Sequence, residues 1–329
     1  MNDLDRPSSS QDRPATAFDV EACYRTFLGR ECETPEIAKA HLTDAPSVWA
    51  LIDRFQASAE ARRYRIHAAA QDICQDQDGR GVELTLDEVQ ARALSAQVEA
   101  VWSRYGREEA FFSVLTNPRY LSSTLRDEHV EEFYATGAAE VDRFMEACRR
   151  NGVEPDPAWS VLELGCGVAR MGEAFAERFS TYSGVDISAG HLALARDRLN
   201  KRGVHNANLR LLTDFLAADD GYDVFFSVIV LQHNPPPIIH KLLDLSLRRL
   251  NPGGYACFQV PCFLYGYQFE TGRYLAEIDR PEIMEMHALP QRHVFDLLAR
   301  HGLRPIEVVP DGRIGSIGVS YSFLARKAD

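Results

Sequence analysis

The sequence predicts an α/β fold, a mostly parallel sheet preceded by an all-helical N-terminal region. Three observations predict it. From Val161 onward, short β-prone runs alternate with segments whose apolar residues recur at three- and four-residue spacing. Asp223 to Leu231 is a continuous apolar run, as a strand buried on both faces requires. The stretch Val161-Leu162-Glu163-Leu164-Gly165-Cys166-Gly167-Val168-Ala169-Arg170 joins strand, glycine turn and helix without a break. Such a join presents backbone N–H groups and a helix N-terminus to a nucleotide-like ligand.

Composition narrows the function. The chain has 329 residues, which implies more than one domain. A formal charge of -12 argues against nucleic acid as the main partner, since phosphate binding needs basic surface. No apolar run reaches the length of a membrane span. Met1 to Thr16 is polar and has no signal-peptide core, so export is not expected. The seven cysteines are odd in number and lack a C-x-x-C pair, which fits reduced thiols and a cytoplasmic location. No cluster has metal-ligand spacing, so no metal is expected.

Four regions follow along the chain. Residues 1–16 read as a disordered tail rich in Ser, Asp, Arg and Pro. Residues 17–75 read as a helical module. Val20, Cys23, Tyr24, Phe27 and Leu28 form one apolar face, Gly29 stops that helix, and Thr34-Pro35 starts the next. Val48, Leu51, Ile52 and Phe55 mark a third helix. The pattern Tyr24, Leu28-Gly29-Arg30 and Phe55-Gln56-Ala57-Ser58-Ala59-Glu60 resembles a small helical repeat of bacterial proteins. In other chains that repeat accompanies glycan enzymes. A packing or assembly role, including a homodimer contact, is its simpler reading. Residues 76–154 read as a polar linker, Asp76 to Gly81, and a helical cap with a helix from Leu84 to Tyr105. Residues 155–329 carry the sheet.

The glycine turn leaves two ligand classes open. A dinucleotide site wants G-x-G-x-x-G, but Met171 stands where the third glycine should be, and Glu163 would repel a pyrophosphate. A cationic ligand suits that carboxylate better. Glu163-Leu164-Gly165-Cys166-Gly167 resembles the first motif of the class I S-adenosylmethionine-dependent methyltransferases, with Ala169 at the place of a frequent third glycine. The resemblance implies a Rossmann-like seven-stranded sheet, mostly parallel with a final antiparallel strand, and S-adenosylmethionine as cofactor. It also implies cofactor contacts from Cys166, Arg170, Ile187, Val230 and Gln232.

Later elements fall in register with it. Tyr182 to Asp186 is a strand, and Asp186 stands roughly twenty residues after the turn, where an acid accepts ribose hydroxyls. After the third strand, Leu209 to Leu212, the resemblance places Asp214 on the adenine amino group and Phe215 on its ring; Asp214 also reads as a helix cap. Helices ahead of the first strand cover the cofactor in the family, which makes Tyr134 a contact candidate or a core aromatic. The fourth strand leads to Gln232-His233-Asn234. Pro235 to Pro237 force an extended exit before a helix from Ile239 to Leu250. Asn251-Pro252-Gly253-Gly254 is a tight turn into the fifth strand, Tyr255 to Val260.

Residues 261–290 break the pattern and read as an insert. Tyr265, Tyr267, Phe269 and Tyr274 lie there among Glu270, Glu277, Asp279, Glu282 and Glu285. Aromatic faces beside carboxylates suit a sugar ring, and they equally suit a sheet-edge cover or a dimer contact. Tyr265, Tyr267, Phe269, Tyr274 and Glu285 are the substrate-binding candidates. Methyl transfer needs donor and acceptor held in line, and a hydroxyl acceptor also needs a base. His233 is the first candidate for that base and His287 the second. His233 also reads as a residue that orders the proline loop. His191, His205, His240, His293 and His301 read as surface or helix-terminal. The expected activity is O-methylation of a saccharide or glycan-linked metabolite. The alternatives are a non-sugar small-molecule methyltransferase, a non-catalytic binding or assembly protein, and lastly a nicotinamide-dependent oxidoreductase.

Overall fold

The computed structural model describes residues 13–61, 81–277 and 284–329. The first twelve residues of the tail, Cys74, most of the 76–81 linker, Asp279 and Glu282 lie outside them. The chain divides into two compact units, Met1–Asp78 and Gly79–Asp329.

The first unit holds α1 (Ala17–Cys23), which runs on as a π-helical turn over Tyr24–Leu28, then α2 (Pro35–Asp44) and α3 (Val48–Ala57). Thr34 Oγ1 accepts from the Ile37 N–H at 3.3 Å and Ser47 Oγ from that of Ala50 at 3.3 Å. Each hydroxyl satisfies one backbone donor left free at a helix start. Gly29 closes the π turn at φ 66°. Val20, Tyr24, Leu51 and Phe55 form the core. The motif residues converge: Arg30 lies over the Tyr24 ring at 4.8 Å and donates to Glu60 at 2.7 Å, while Phe55 meets Tyr24 edge-on at 5.1 Å. That cluster holds three helices together.

The second unit begins with α4 (Glu88–Glu108), α5 (Ala110–Val114) and the 24-residue α6 (Asp127–Arg150). Helix α4 starts at Glu88 rather than Leu84, because Asp87 and Gln90 form a reciprocal capping box. Then follow β1 (Ser160–Leu164), α7 (Gly172–Arg178), β2 (Thr181–Asp186), α8 (Ala189–Lys201), β3 (Ala207–Leu211), α9 (Leu212–Ala217) and β4 (Tyr222–Ser227). The unit closes with α10 (Pro236–Arg249), β5 (Leu250–Leu264), α11 (Thr271–Ala276), α12 (Gln291–Arg300), β6 (Leu303–Pro310) and β7 (Gly318–Lys327).

The seven strands make one sheet in the order β3-β2-β1-β4-β5-β7-β6. The strands from β1 to β5 pair in parallel, and β7 is antiparallel to both its neighbours. The order reverses between β1 and β4, so a crevice opens beyond their carboxyl ends, where such sheets bind ligands. Side chains alternate between the faces. Leu162, Leu164, Phe225, Phe258 and Phe323 pack with α4, α10 and α12, whereas Val161, Val224, Phe226 and Leu324 pack with α6, α7 and α8. Each buried phenylalanine contributes about 1.5–3 kcal/mol of transfer energy.

Three local expectations change. Strand β4 ends at Ser227, and the apolar run continues as a bend and a 3₁₀ turn over Leu231–His233. Ile229 there has φ 60°, a conformation that ends a β-branched strand. Pro236 and Pro237 lie inside the first turn of α10, where their missing N–H groups cost nothing, so the proline exit is one residue long. Pro261 to Leu264 extend β5, pairing with the start of β7, so the irregular insert begins at Tyr265.

Candidate active site

The site grows from the turn after β1. Gly165 and Gly167 have φ 76° and 54°. A Cβ at Gly165 would come within 2.3 Å of a Val230 methyl, and one at Gly167 within 2.5 Å of a Val114 methyl. The N–H groups of Gly165 and Cys166 both donate to the Val185 carbonyl, at 2.7 and 3.0 Å, which ties the turn to β2. Ala169 has φ 59°, so a residue with a Cβ occupies a conformation that glycine adopts without strain.

Two buried ionisable side chains face the space beneath this turn. Glu163 Oε2 accepts from the Tyr182 hydroxyl at 2.6 Å, while Oε1 is buried without a hydrogen-bond partner. Burial pushes the Glu163 carboxyl up to about 8, against the pull of the Tyr182 hydroxyl and the Arg170 charge. Arg170 is buried as well. Its Nη1 donates to Thr136 Oγ1 at 3.2 Å, its Nε has no partner, and burial lowers its pKa. A carboxylate oxygen and a guanidinium N–H left unsatisfied in one enclosed space are costly unless a ligand completes them.

Asp186 ends β2. Its Oδ2 accepts from the Gly167 N–H and its Oδ1 from the Ser188 N–H, both at 2.8 Å. The carboxylate therefore locks the turn first, and each oxygen retains acceptor capacity for a ligand hydroxyl. His191 departs from its surface reading. It is 1% exposed, lies 2.9 Å from Ser113 Oγ through Nε2, and brings Nδ1 to 3.6 Å from Asp186 Oδ1. The cause is a close helix crossing. A Cβ at Gly106 of α4 would fall 2.0 Å from Ser188 Oγ, and one at Gly190 of α8 would fall 2.6 Å from the Gly106 carbonyl.

These groups line a cavity of about 790 Å³, mouth included. Of the expected residues, Glu163, Gly165, Cys166, Gly167, Arg170, Asp186, Ile187, Val230 and His233 form its walls. Trp102 from α4, Ser113 and Val114 from α5, His191, Leu212 and Asn234 also line it, and sequence reasoning singled out none of these six as site residues.

Other expected residues take different positions. Tyr134 donates to the Val168 carbonyl at 3.1 Å under the Arg198 guanidinium, so it braces the glycine turn from behind. Helix α9 begins directly at Leu212, which turns Asp214 outward to solvent and Phe215 into the core beneath Arg249; Leu212 takes the wall position instead. Gln232 is buried behind the wall, against Gln259 at 3.1 Å. His287 accepts or donates through Nδ1 to the Tyr267 hydroxyl at 2.8 Å and lies 3.3 Å from Glu285 Oε2. Phe269 and Tyr274 pack on the same imidazole, and the Tyr274 hydroxyl donates to Glu285. The insert aromatics thus face one another; Tyr265, 47% exposed, remains open.

His233 lines the cavity, with the Trp102 ring 5.3 Å away. Its Nδ1 is 2.9 Å from the Glu285 carbonyl and its Nε2 3.2 Å from Gln232 Nε2. Burial lowers its pKa, so the ring is neutral at pH 7. Among the described residues no group of three or more His, Cys, Asp or Glu side chains converges as a metal site. No described helix is long and apolar enough to cross a membrane.

Residues 161–254 match a family model described as a methyltransferase domain. Curated relatives include a ubiquinone biosynthesis O-methyltransferase of Pseudomonas fluorescens, 30% identical over 102 residues. That match covers 30% of this chain and 43% of the relative, so the chain spans less than half of it. A highly reducing polyketide synthase of Purpureocillium lilacinum is 27% identical over 235 residues, covering 65% of this chain and 9% of the relative. Among solved structures, magnesium protoporphyrin IX methyltransferase from Synechocystis with bound S-adenosylhomocysteine aligns at TM-score 0.49 and 14% identity, covering 70% of this chain and all of that one. S-adenosylmethionine is the cofactor of such a domain, and the unsatisfied Glu163 and Arg170 groups fit its amino-acid end, an ammonium beside a carboxylate.

Proposed function

We propose that this protein transfers a methyl group from S-adenosylmethionine to a hydroxyl of a small-molecule acceptor. The observation that carries the reading is the pair Glu163 Oε1 and Arg170 Nε, buried, unpartnered and lining one cavity at the glycine turn. Glu163 would hold the ammonium, Arg170 the carboxylate and Asp186 the ribose hydroxyls. Ile187 and Leu212 would flank the base. S-adenosylmethionine, when bound, supplies a methyl carbon already activated by a sulfonium. The chain's own part is to hold the acceptor in line and exclude water. His233, neutral and beside Trp102, would take the hydroxyl proton as the new bond forms. The Trp102 and Val98 wall favours an acceptor whose hydroxyl sits on an apolar ring, and the relatives' name supports oxygen as the atom methylated.

A saccharide acceptor is the second reading, supported by the N-terminal motif and the open Tyr265 ring. The reading extends to a cytoplasmic protein, supported by free thiols at the six described cysteines, and to self-assembly through the helical module. Calorimetric titration with S-adenosylhomocysteine, followed by labelled methyl transfer to panels of phenols and of sugars, tests the cofactor and the acceptor class, and sedimentation of the full chain tests self-assembly. Micromolar binding with transfer to phenols is expected. Absence of binding to folded protein would overturn the methyl-transfer reading; transfer to sugars alone would replace the acceptor class.

A further inference from the structure

Behind the cavity wall lies a chain of buried polar side chains that the cofactor site does not use. Gln259, fully buried on β5, accepts from the Ile229 N–H through Oε1 at 2.9 Å. A backbone N–H can only donate, so this bond fixes which end of the Gln259 amide is oxygen. Gln259 Nε2 must then donate both its hydrogens. They go to Gln232 Oε1 at 3.1 Å and to Ser320 Oγ on β7. Ser320 passes its own hydrogen to Asp311 Oδ2 at 3.2 Å. Because Gln232 accepts through oxygen, its nitrogen is the end that faces His233 Nε2, at 3.2 Å.

The consequence falls on the imidazole. An amide NH₂ has no lone pair to offer, so His233 Nε2 must be the acceptor and carry no proton. The ring proton then sits on Nδ1, where the Glu285 carbonyl accepts it at 2.9 Å. Both ring nitrogens are dictated by groups that cannot exchange roles, and Gln259 dictates one of them from two side chains away. We infer that Gln259 is a positioning residue that, through Gln232, holds His233 as the neutral Nδ1–H tautomer with its Nε2 lone pair accepting from the Gln232 amide. Which nitrogen carries the proton is set by the hydrogen bond the other one makes. An imidazolium would turn an Nε2–H against the Gln232 NH₂.

The role of that lone pair as base rests on the methyl-transfer reading and needs the acceptor hydroxyl to displace the Gln232 amide from Nε2, but the tautomer does not. The experiment therefore needs no substrate. Nitrogen NMR of the full chain with labelled histidine reads the protonation of each ring, and a His233→Asn variant assigns the signal. Wild-type His233 is expected neutral, with the proton on Nδ1, at pH 7 and above. Gln232→Glu keeps the acceptor for Gln259 and replaces the NH₂ with oxygen. It should place a proton on Nε2. Gln259→Glu keeps the acceptor for Ile229 but removes both donors, so the Gln232 amide should rotate and again protonate Nε2. A purely structural Gln259 would leave the ring signals unmoved. An Nε2–H ring in the wild type overturns the inference, and so does an unmoved tautomer in folded Gln259→Glu. If that variant fails to fold, Gln232→Glu decides alone, and an unprotonated Nε2 there overturns it.

Discussion

The two ends of the cavity are built in different ways. At the cofactor end, the groups that matter lie within a short length of chain. Glu163, Gly165, Gly167 and Asp186 are joined by backbone hydrogen bonds between adjacent parallel strands and by the Asp186 carboxylate, which accepts from the Gly167 N–H. At the His233 end, Trp102, His233, Gln259, Glu285 and Ser320 come from five separate segments and are joined by side chains and by the Glu285 carbonyl. A turn made of backbone tolerates no added atom, whereas a network of side chains tolerates isosteric change but loses its proton order. Damage at the first end should therefore appear as lost binding, and damage at the second as lost turnover.

The sharpest break is Gly165→Ala. The added Cβ meets Val230 at 2.3 Å and the residue must hold φ 76°, so strain and overlap together cost about 4 kcal/mol. S-adenosylhomocysteine affinity should fall about 1,000-fold, read by calorimetry on a variant whose circular dichroism is native. His233→Ala should do the reverse, lowering kcat about 100-fold or more while cofactor affinity stays within about threefold. Equal losses in both quantities would collapse the distinction between the two ends.

A pH titration sharpens it further. Glu163 sits near 8 in the folded chain against about 4.3 when unfolded, so the folded state holds the proton more tightly. Stability of the ligand-free protein should decline as pH rises from about 4.5 to 8, and Glu163→Gln should flatten that slope in chemical denaturation. Ammonium binding needs the ionised form, so affinity for S-adenosylhomocysteine should rise about tenfold from pH 7 to 8.5 in the wild type and stay level in Glu163→Gln. The smallest effect belongs to Asp214→Ala. Its carboxylate faces solvent, so affinity should change less than about twofold; a tenfold loss would show that the adenine contact forms on binding.

The same contrast explains what could be read in advance. The sheet, the glycine turn and Asp186 follow from local rules, because strand, turn and helix signals sit side by side in the chain. Asp214 and Phe215 were displaced by one helical start: α9 begins a residue earlier than a loop would allow, and every side chain rotates about the helix. His191 reads as exposed because it lies one turn past its Ser188 cap, and nothing near it announces the glycine at 106 that lets α4 cover it. The insert aromatics were expected to meet a ligand, and their packing on His287 depends on residues up to twenty positions apart. His233 and Glu285 are separated by 52 positions, and no periodicity records such a pairing.

The crossing of Gly106 with Gly190 has a consequence for descent. Each position admits hydrogen alone, since any carbon at one would occupy the backbone or hydroxyl of the other helix. A lineage that acquired alanine at either place would part α4 from α8 and uncover His191 and Asp186 together. Two glycines some eighty residues apart are thus bound to a shared fate: where one drifts, Ser188 and the other glycine should drift with it, and chains that keep one should keep both.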